Sequence, residues 1–234
     1  MKRIRIITGH YGSGKTEFAV NWAISLARQG VENVTLADLD IVNPYFRSYE
    51  QRERLEQAGV EVIVTSCNGM ADIPAINPSV LRIFEDNTLH GVLDIGGDPI
   101  GARVLARFAP KLEKAEFDLY IVLNANRPET NTVDRALAYL RAIEAECRQK
   151  ATGIVNNTHL CGQTTPEEVL RGAELAKALS KETGLPIVCH AAHRRFVPAL
   201  QGKLEEPIFP MELYMKKPWE ITNCEEEELS WQEL

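Results

Sequence analysis

Residues 4–16, IRIITGHYGSGKT, join a short β-branched run to a glycine-rich loop carrying one lysine and one threonine, and this order leaves few folds open. Ile4, Ile6 and Ile7 have the length and branching of a buried strand, Gly9 ends it, and apolar residues at helical spacing resume at Phe18. The order is strand, loop, helix. In the G-x-x-x-x-G-K-[ST] pattern from Gly9 to Thr16, the glycines Gly9, Gly12 and Gly14 permit positive φ and let backbone N–H groups approach phosphate oxygens. Lys15 brings a point charge to the β- and γ-phosphates, Thr16 offers a hydroxyl to Mg²⁺, and the following helix presents its N-terminus to the anion. His10, Tyr11, Ser13 and Glu17 complete the stretch expected to surround the phosphates. The chain is expected to act on a nucleoside triphosphate.

Beyond the loop, strand and helix patterns alternate. Phe18, Trp22 and Leu26 with Ala19, Ala23 and Ala27 follow helical spacing up to Gly30, and VTLADLD then reads as a strand ending in two carboxylates. Residues 46–58 read as a charged helix, 60–64 as a buried strand, and 66–78 as irregular, with Pro78 opening a helix that runs to Phe84. Residues 91–98 read as a strand and a glycine turn, further strands are expected at 118–126, 152–157 and 185–190, and helices at 102–114, interrupted by Pro110, 131–148 and 166–182. Seven strands joined by helices predict an α/β, three-layer P-loop NTPase fold with a mostly parallel sheet.

With 234 residues and 44% apolar content, the chain suits one well-buried domain, expected at 1–203, and an acidic tail containing Pro and Trp at 204–234. From Leu204 onward there are nine acids and two lysines out of totals of 33 and 26, so the preceding 203 residues hold 24 of each. A neutral body carries no electrostatic footprint for nucleic acid or anionic lipid. The tail, with Glu225 to Glu228 between Trp219 and Trp231, reads either as solvated chain or as a segment that packs on the body or on a partner. Five cysteines without a C-x-x-C pair argue for reduced thiols, and MKRIRIITG enters the first strand without a removable signal, so a cytoplasmic location is expected.

Ligands of open parallel sheets bind at the carboxyl ends of the strands. Asp38 and Asp40 close the second strand, where one carboxylate can serve a phosphate-bound Mg²⁺ and the other can orient an attacking water. Asp94 is followed by Ile95, Gly96 and Gly97, and this D-x-x-G arrangement suits a Walker B carboxylate on Mg²⁺ with a glycine N–H that senses the γ-phosphate. Asn156 and Asn157 end the sixth strand, where an amide can read a purine edge. A guanine site wants N-K-x-D, but the stretch is NNTH with His159 in the aspartate's place, which favours adenine. His159 with Cys161, and Cys189 with His190 and His193, lack zinc-ribbon spacing and read as loop histidines and buried thiols, with metal delivery as the alternative.

The segments GHYGSGKT, LADLDIVNP, VLDIGGD and IVNN, in this order and spacing, resemble the MinD/ParA and CobQ/CobB-type nucleotide-binding domains over roughly residues 1–200. That branch of P-loop NTPases includes nitrogenase iron protein, partitioning ATPases and metal-centre maturation factors. The resemblance implies ATP or ADP as ligand, Lys15 on the phosphates, and Thr16, Asp38 and Asp94 around Mg²⁺. It also implies Asp40 near the attacking water, Asn156 near adenine, a protein partner and nucleotide-dependent homodimers. His10 stands where many members carry a second lysine, and Tyr11 where glycine is usual; a protonated His10 would donate to a phosphate. The function expected is a Mg²⁺-dependent ATPase switch. The rivals are an ATP-dependent small-molecule ligase and a non-hydrolysing ATP sensor that recruits a protein.

Overall fold

The computed structural model describes residues 2–40, 51–64 and 78–215. The expected helix at 46–58 is described only in part, and the irregular segment at 66–78 and the acidic run with its two tryptophans lie outside the described residues, apart from Pro78.

In chain order the elements are β1 (Ile4–Thr8), α1 (Lys15–Arg28), β2 (Val34–Leu39), α2 (Arg52–Gln57), β3 (Val60–Val64), α3 (Leu81–Glu85), β4 (His90–Ile95) and α4 (Pro99–Ala106). They continue with α5 (Ala109–Leu112), β5 (Phe117–Leu123), α6 (Val133–Cys147), β6 (Gly153–Asn156), α7 (Pro166–Thr183), β7 (Ile187–His193), α8 (Val197–Leu200) and β8 (Ile208–Met211). The strands form one sheet in the order β3-β2-β4-β1-β5-β6-β7-β8. Every neighbouring pair is parallel.

Both faces of the sheet are covered, as a parallel sheet requires. In β1 the side chains alternate between two cores. Ile4 and Ile6 pack with Leu93, Leu119 and Ile121 beneath α3 to α7. Ile7 packs with Phe18, Leu36, Val92 and Val122 beneath α1 and α2. Thus β1 is buried on both sides at the centre of the sheet, and its carboxyl end, where the glycine loop begins, is flanked by the ends of β4 and β5.

The sheet has one strand more than the seven expected. β8 comes from the stretch assigned to the tail, and it escapes notice because it has four residues and contains Pro210. A proline, which cannot donate to a ladder, is tolerated on an edge strand such as this one. The stretch at 102–114, expected to be helical with an interruption at Pro110, is two helices whose break falls before Pro110. The first starts earlier than expected, at Pro99, because Asp98 caps it by accepting a hydrogen bond from the Gly101 N–H at 2.6 Å. Pro110 falls in the first turn of the second, where its missing N–H costs nothing. Among the described residues no helix is long and apolar enough to cross a membrane.

Candidate functional site

The glycine loop is held from behind through its carbonyls. The Gly12 carbonyl accepts from Asn124 Nδ2 at 3.2 Å and from Arg127 Nε at 2.9 Å. The Ser13 carbonyl accepts from Asn157 Nδ2 at 2.8 Å. Within the loop, the Ser13 N–H closes a turn onto the His10 carbonyl at 2.8 Å. Gly12 and Gly14 take φ values of 74° and 76°, which side chains disfavour. A Cβ on Gly14 would also sit 2.5 Å from Asn157 Nδ2. Drawing these carbonyls back toward the loops after β5 and β6 leaves the front of the loop to its amides, the arrangement an anion needs.

His159 belongs to the same backing layer. Its Nδ1 accepts from the Cys161 N–H at 3.3 Å, which places the ring proton on the buried Nε2, beside Gly14. Burial, reinforced by the charge of Arg127, pushes the pKa of His159 down to about 4, so the ring is neutral at physiological pH.

In front of the loop lies a buried acidic cluster. Asp38 of β2 is in register with Asp94 of β4, so adjacent strands set the two carboxylates on the α1 face of the sheet. Asp40 follows β2, and its N–H donates to Asp38 Oδ1 at 3.1 Å. Lys15, at the first position of α1, reaches Asp40 Oδ2 with Nζ at 2.7 Å. All four residues and Thr16 are buried. Burial alone would lower the lysine pKa, but Asp94, Asp40 and Asp38 together outweigh it and hold Lys15 above its usual value. Burial pushes Asp94 up to about 7 against the opposing pull of Lys15, with Asp38 and Asp40 adding to the rise.

Three carboxylates against one ammonium leave this interior with excess negative charge at full ionisation, which is costly without a cation. The Asp94 carboxylate is fully buried, with the Thr16 hydroxyl as its hydrogen-bonding neighbour. A buried carboxylate beside a hydroxyl fits the water shell of Mg²⁺. Among the described residues no three His, Cys, Asp or Glu side chains are grouped to hold a metal ion unaided. A cation here would complete its shell with waters and phosphate oxygens, the coordination Mg²⁺ prefers.

The turn after β4 packs directly on the loop. A Cβ on Gly97 would meet the Gly9 carbonyl oxygen at 2.2 Å, and one on Gly96 would meet Asp40 Oδ1 at 3.2 Å. The buried hydroxyl of Tyr139, on α6, donates to the Gly97 carbonyl at 2.9 Å and pins this contact. Loop, acidic cluster and D-x-x-G turn therefore form one packed unit.

The remaining predicted residues are placed differently. His10 is partly exposed, 3.2 Å from the Tyr11 carbonyl and 3.8 Å from Glu129, with its ring edge-on to Tyr139. Tyr11 is 55% exposed at the mouth of the site. The carboxylate of Glu17 accepts from the backbone of Tyr214 and Met215 at 2.7 and 3.2 Å, and burial raises its pKa to about 7. Asn156 does not join the loop. It is fully buried, donating to the Val169 carbonyl at 3.0 Å and accepting from the Thr158 hydroxyl at 2.8 Å, with its amide also 3.1 Å from His190 Nδ1. Its neighbour Asn157 reaches the loop instead, because successive strand residues face opposite sides. Sequence reasoning missed Asn124, Arg127 and His159 in this supporting role; their only sequence signal is position just past β5 and β6.

No protein-family model matches the chain, and no curated protein matches it. Solved structures do resemble it. Chloroplast FtsY from Physcomitrella patens is 22% identical with a TM-score of 0.55, over 80% of this chain and 57% of that one. The cell division protein ftsY from Thermotoga maritima is 19% identical with a TM-score of 0.56, over 80% and 60%. The signal recognition particle receptor FtsY from Elizabethkingia anophelis, in complex with GDP, is 15% identical with a TM-score of 0.50, over 80% and 56%. The chain thus spans less than two-thirds of the length of these neighbours. The likeness is one of fold and agrees with the three-layer P-loop NTPase architecture described above.

Proposed function

We propose that the chain is a Mg²⁺-dependent ATP-binding protein that hydrolyses ATP slowly as a switch for a protein partner, in the manner of the MinD/ParA branch. The observation that carries this reading is the Lys15 ammonium, buried among Asp38, Asp40 and Asp94 at the front of a glycine loop whose carbonyls are tied back. A neighbour of this fold with GDP bound supports a nucleotide at the loop. The NNTH sequence after β6 lacks the carboxylate that guanine's amino group wants, which supports adenine.

In this reading, Thr16 and Asp94 would hold Mg²⁺, with Asp38 beside them. The cation would supply charge neutralisation at the transferring phosphoryl. A triphosphate competes with Asp40 for the Lys15 ammonium. Freed from that ion pair, the Asp40 carboxylate can accept a proton from the attacking water and fix its direction. Lys15 then stabilises the charge that develops on the phosphoryl oxygens.

Titration calorimetry with ATP and GTP, with and without Mg²⁺, tests the ligand; tighter binding of GTP would overturn the adenine assignment. Asp40→Ala separates binding from turnover. It is expected to keep or improve ATP affinity, since Lys15 loses a competitor, while phosphate release falls by about 100-fold. An unchanged rate would remove Asp40 from water positioning. Arg127→Ala removes one of two donors to the Gly12 carbonyl and is expected to weaken ATP binding by about fivefold. An affinity equal to the parent's would mean that Asn124 suffices to hold that carbonyl.

A further inference from the structure

A second concave surface lies on the far side of α1 from the sheet. Past β8 the chain crosses the outer face of this helix, held by Asn21, whose side chain donates to the Glu212 carbonyl at 3.0 Å and accepts from its N–H at 2.8 Å. Glu17 holds Tyr214 and Met215 through their N–H groups, and the Arg54 guanidinium of α2 lies 4.6 Å above the Tyr214 ring. Between this strap, α1 and α2 opens a groove of about 650 Å³. Its lining combines apolar surface from Ile24, Ala58 and Tyr214 with three arginines, Arg28, Arg54 and Arg194. Glu212 is the one acid among the lining residues, and Arg194 already pairs with it at 2.6 Å. Arg28 and Arg54 are exposed, and neither has an ion-pair partner at salt-bridge distance among the described residues.

We propose that this groove docks the chain's own acidic segment, residues 219–231, WEITNCEEEELSW. Three features favour this occupant over a free anion. Tyr214 lines the groove, and Glu225 follows only eleven residues later in sequence, so the acidic run is tethered within about 40 Å of the groove wall. Charge is complementary, since the excess acids of the whole protein lie in the stretch after Leu204 while the groove presents two arginines outside any salt bridge among the described residues. The segment also flanks its acids with Trp219, Ile221, Leu229 and Trp231, which match the apolar lining and offer indole faces to the guanidinium groups. Tethering raises the local concentration of the segment into the millimolar range, so weak contacts suffice. The docked segment would lie against the outer face of the helix that begins with Lys15.

Disulfide trapping in the full chain tests the docking. Gln57 lines the groove without charge, so Gln57→Cys places a thiol within reach of the native Cys224 beside the acidic run. Under mild oxidation with diamide, a disulfide between the introduced thiol and Cys224 of the same chain, mapped by peptide mass spectrometry, is expected to form about tenfold faster than the link from Lys181→Cys, an exposed position on α7. Adding Arg28→Glu and Arg54→Glu should erase that advantage. Changing Glu225 to Glu228 to glutamine, with the groove left intact, should do the same. A link no faster than the Lys181→Cys control, a rate insensitive to both charge changes, or a disulfide found only between two chains would each overturn the proposal.

Discussion

Lys15→Ala is expected to weaken ATP binding by at least about 100-fold, close to the 1.5–3 kcal/mol that a hydrogen bond to a charged group contributes. The loss arises in two places. The substitution removes the ammonium that meets the phosphates, and it leaves Asp38, Asp40 and Asp94 buried without their cation. An incoming triphosphate would then face carboxylates deprived of that ammonium, so repulsion adds to the lost attraction. Removing one partner of a buried ion pair also destabilises the fold, so thermal unfolding must be followed alongside calorimetry. Lys15→Arg separates the two effects. It keeps a positive charge near Asp40, but a planar fork on a longer stem does not reproduce a point charge at the start of a helix. The arginine variant should therefore recover most of the stability and little of the affinity. If Lys15→Ala bound ATP within threefold of the parent, the loop would not be the nucleotide site.

The sequence made the phosphate loop and most of the architecture legible because those features are local. Ile4 to Lys15 encodes strand, turn and helix within one short window, and the apolar runs of a parallel sheet announce themselves by β-branching without alternation. β8 was hidden by its brevity and by Pro210, whose tolerance depends on a fact that only topology supplies, namely that the strand is at an edge. The backing layer was hidden for a related reason. Asn124, Arg127, Asn157 and His159 matter because β5 lies beside β1 and β6 beside β5, which brings the loops after them behind Gly12 and Ser13. Strand order is not written in any one segment. Asn156 and Asn157 show how fine the distinction is. Both are asparagines at one strand end, yet one side chain is consumed between Val169 and Thr158 while the other holds the loop.

The same topology makes α1 the mechanical link of the molecule. Its first residue reaches the acidic cluster, Glu17 and Asn21 hold the strap after β8, and Ile24 and Arg28 line the groove beside α2. A shift of the loop with nucleotide would pass to this helix, which continues directly from it, or to the turn after β4, whose Gly97 packs against the Gly9 carbonyl.

That packing leads to the second large effect. Gly97→Ala should reduce ATP affinity by about 100-fold although Gly97 carries no side chain to lose. Its Cβ would lie 2.2 Å from the Gly9 carbonyl oxygen and 3.2 Å from both the His10 carbonyl carbon and the Tyr11 nitrogen. All three are backbone atoms, so no rotamer change can relieve the contact, and the loop and the turn must separate by roughly 1 Å. The turn cannot retreat freely, because the Tyr139 hydroxyl holds the Gly97 carbonyl. The loop cannot either, because Asn124, Arg127 and Asn157 tie its carbonyls in place. The displacement is therefore expected where the phosphates would sit, with about 1–3 kcal/mol lost in stability from overpacking. Gly162→Ala is the matched control, since a Cβ there meets nothing within 4 Å, and it should leave both affinity and stability at the parent's values. Calorimetry and thermal unfolding on the pair decide the matter. If Gly97→Ala kept full affinity, the loop could adjust independently of the D-x-x-G turn, and the packed unit would not transmit nucleotide state from one to the other.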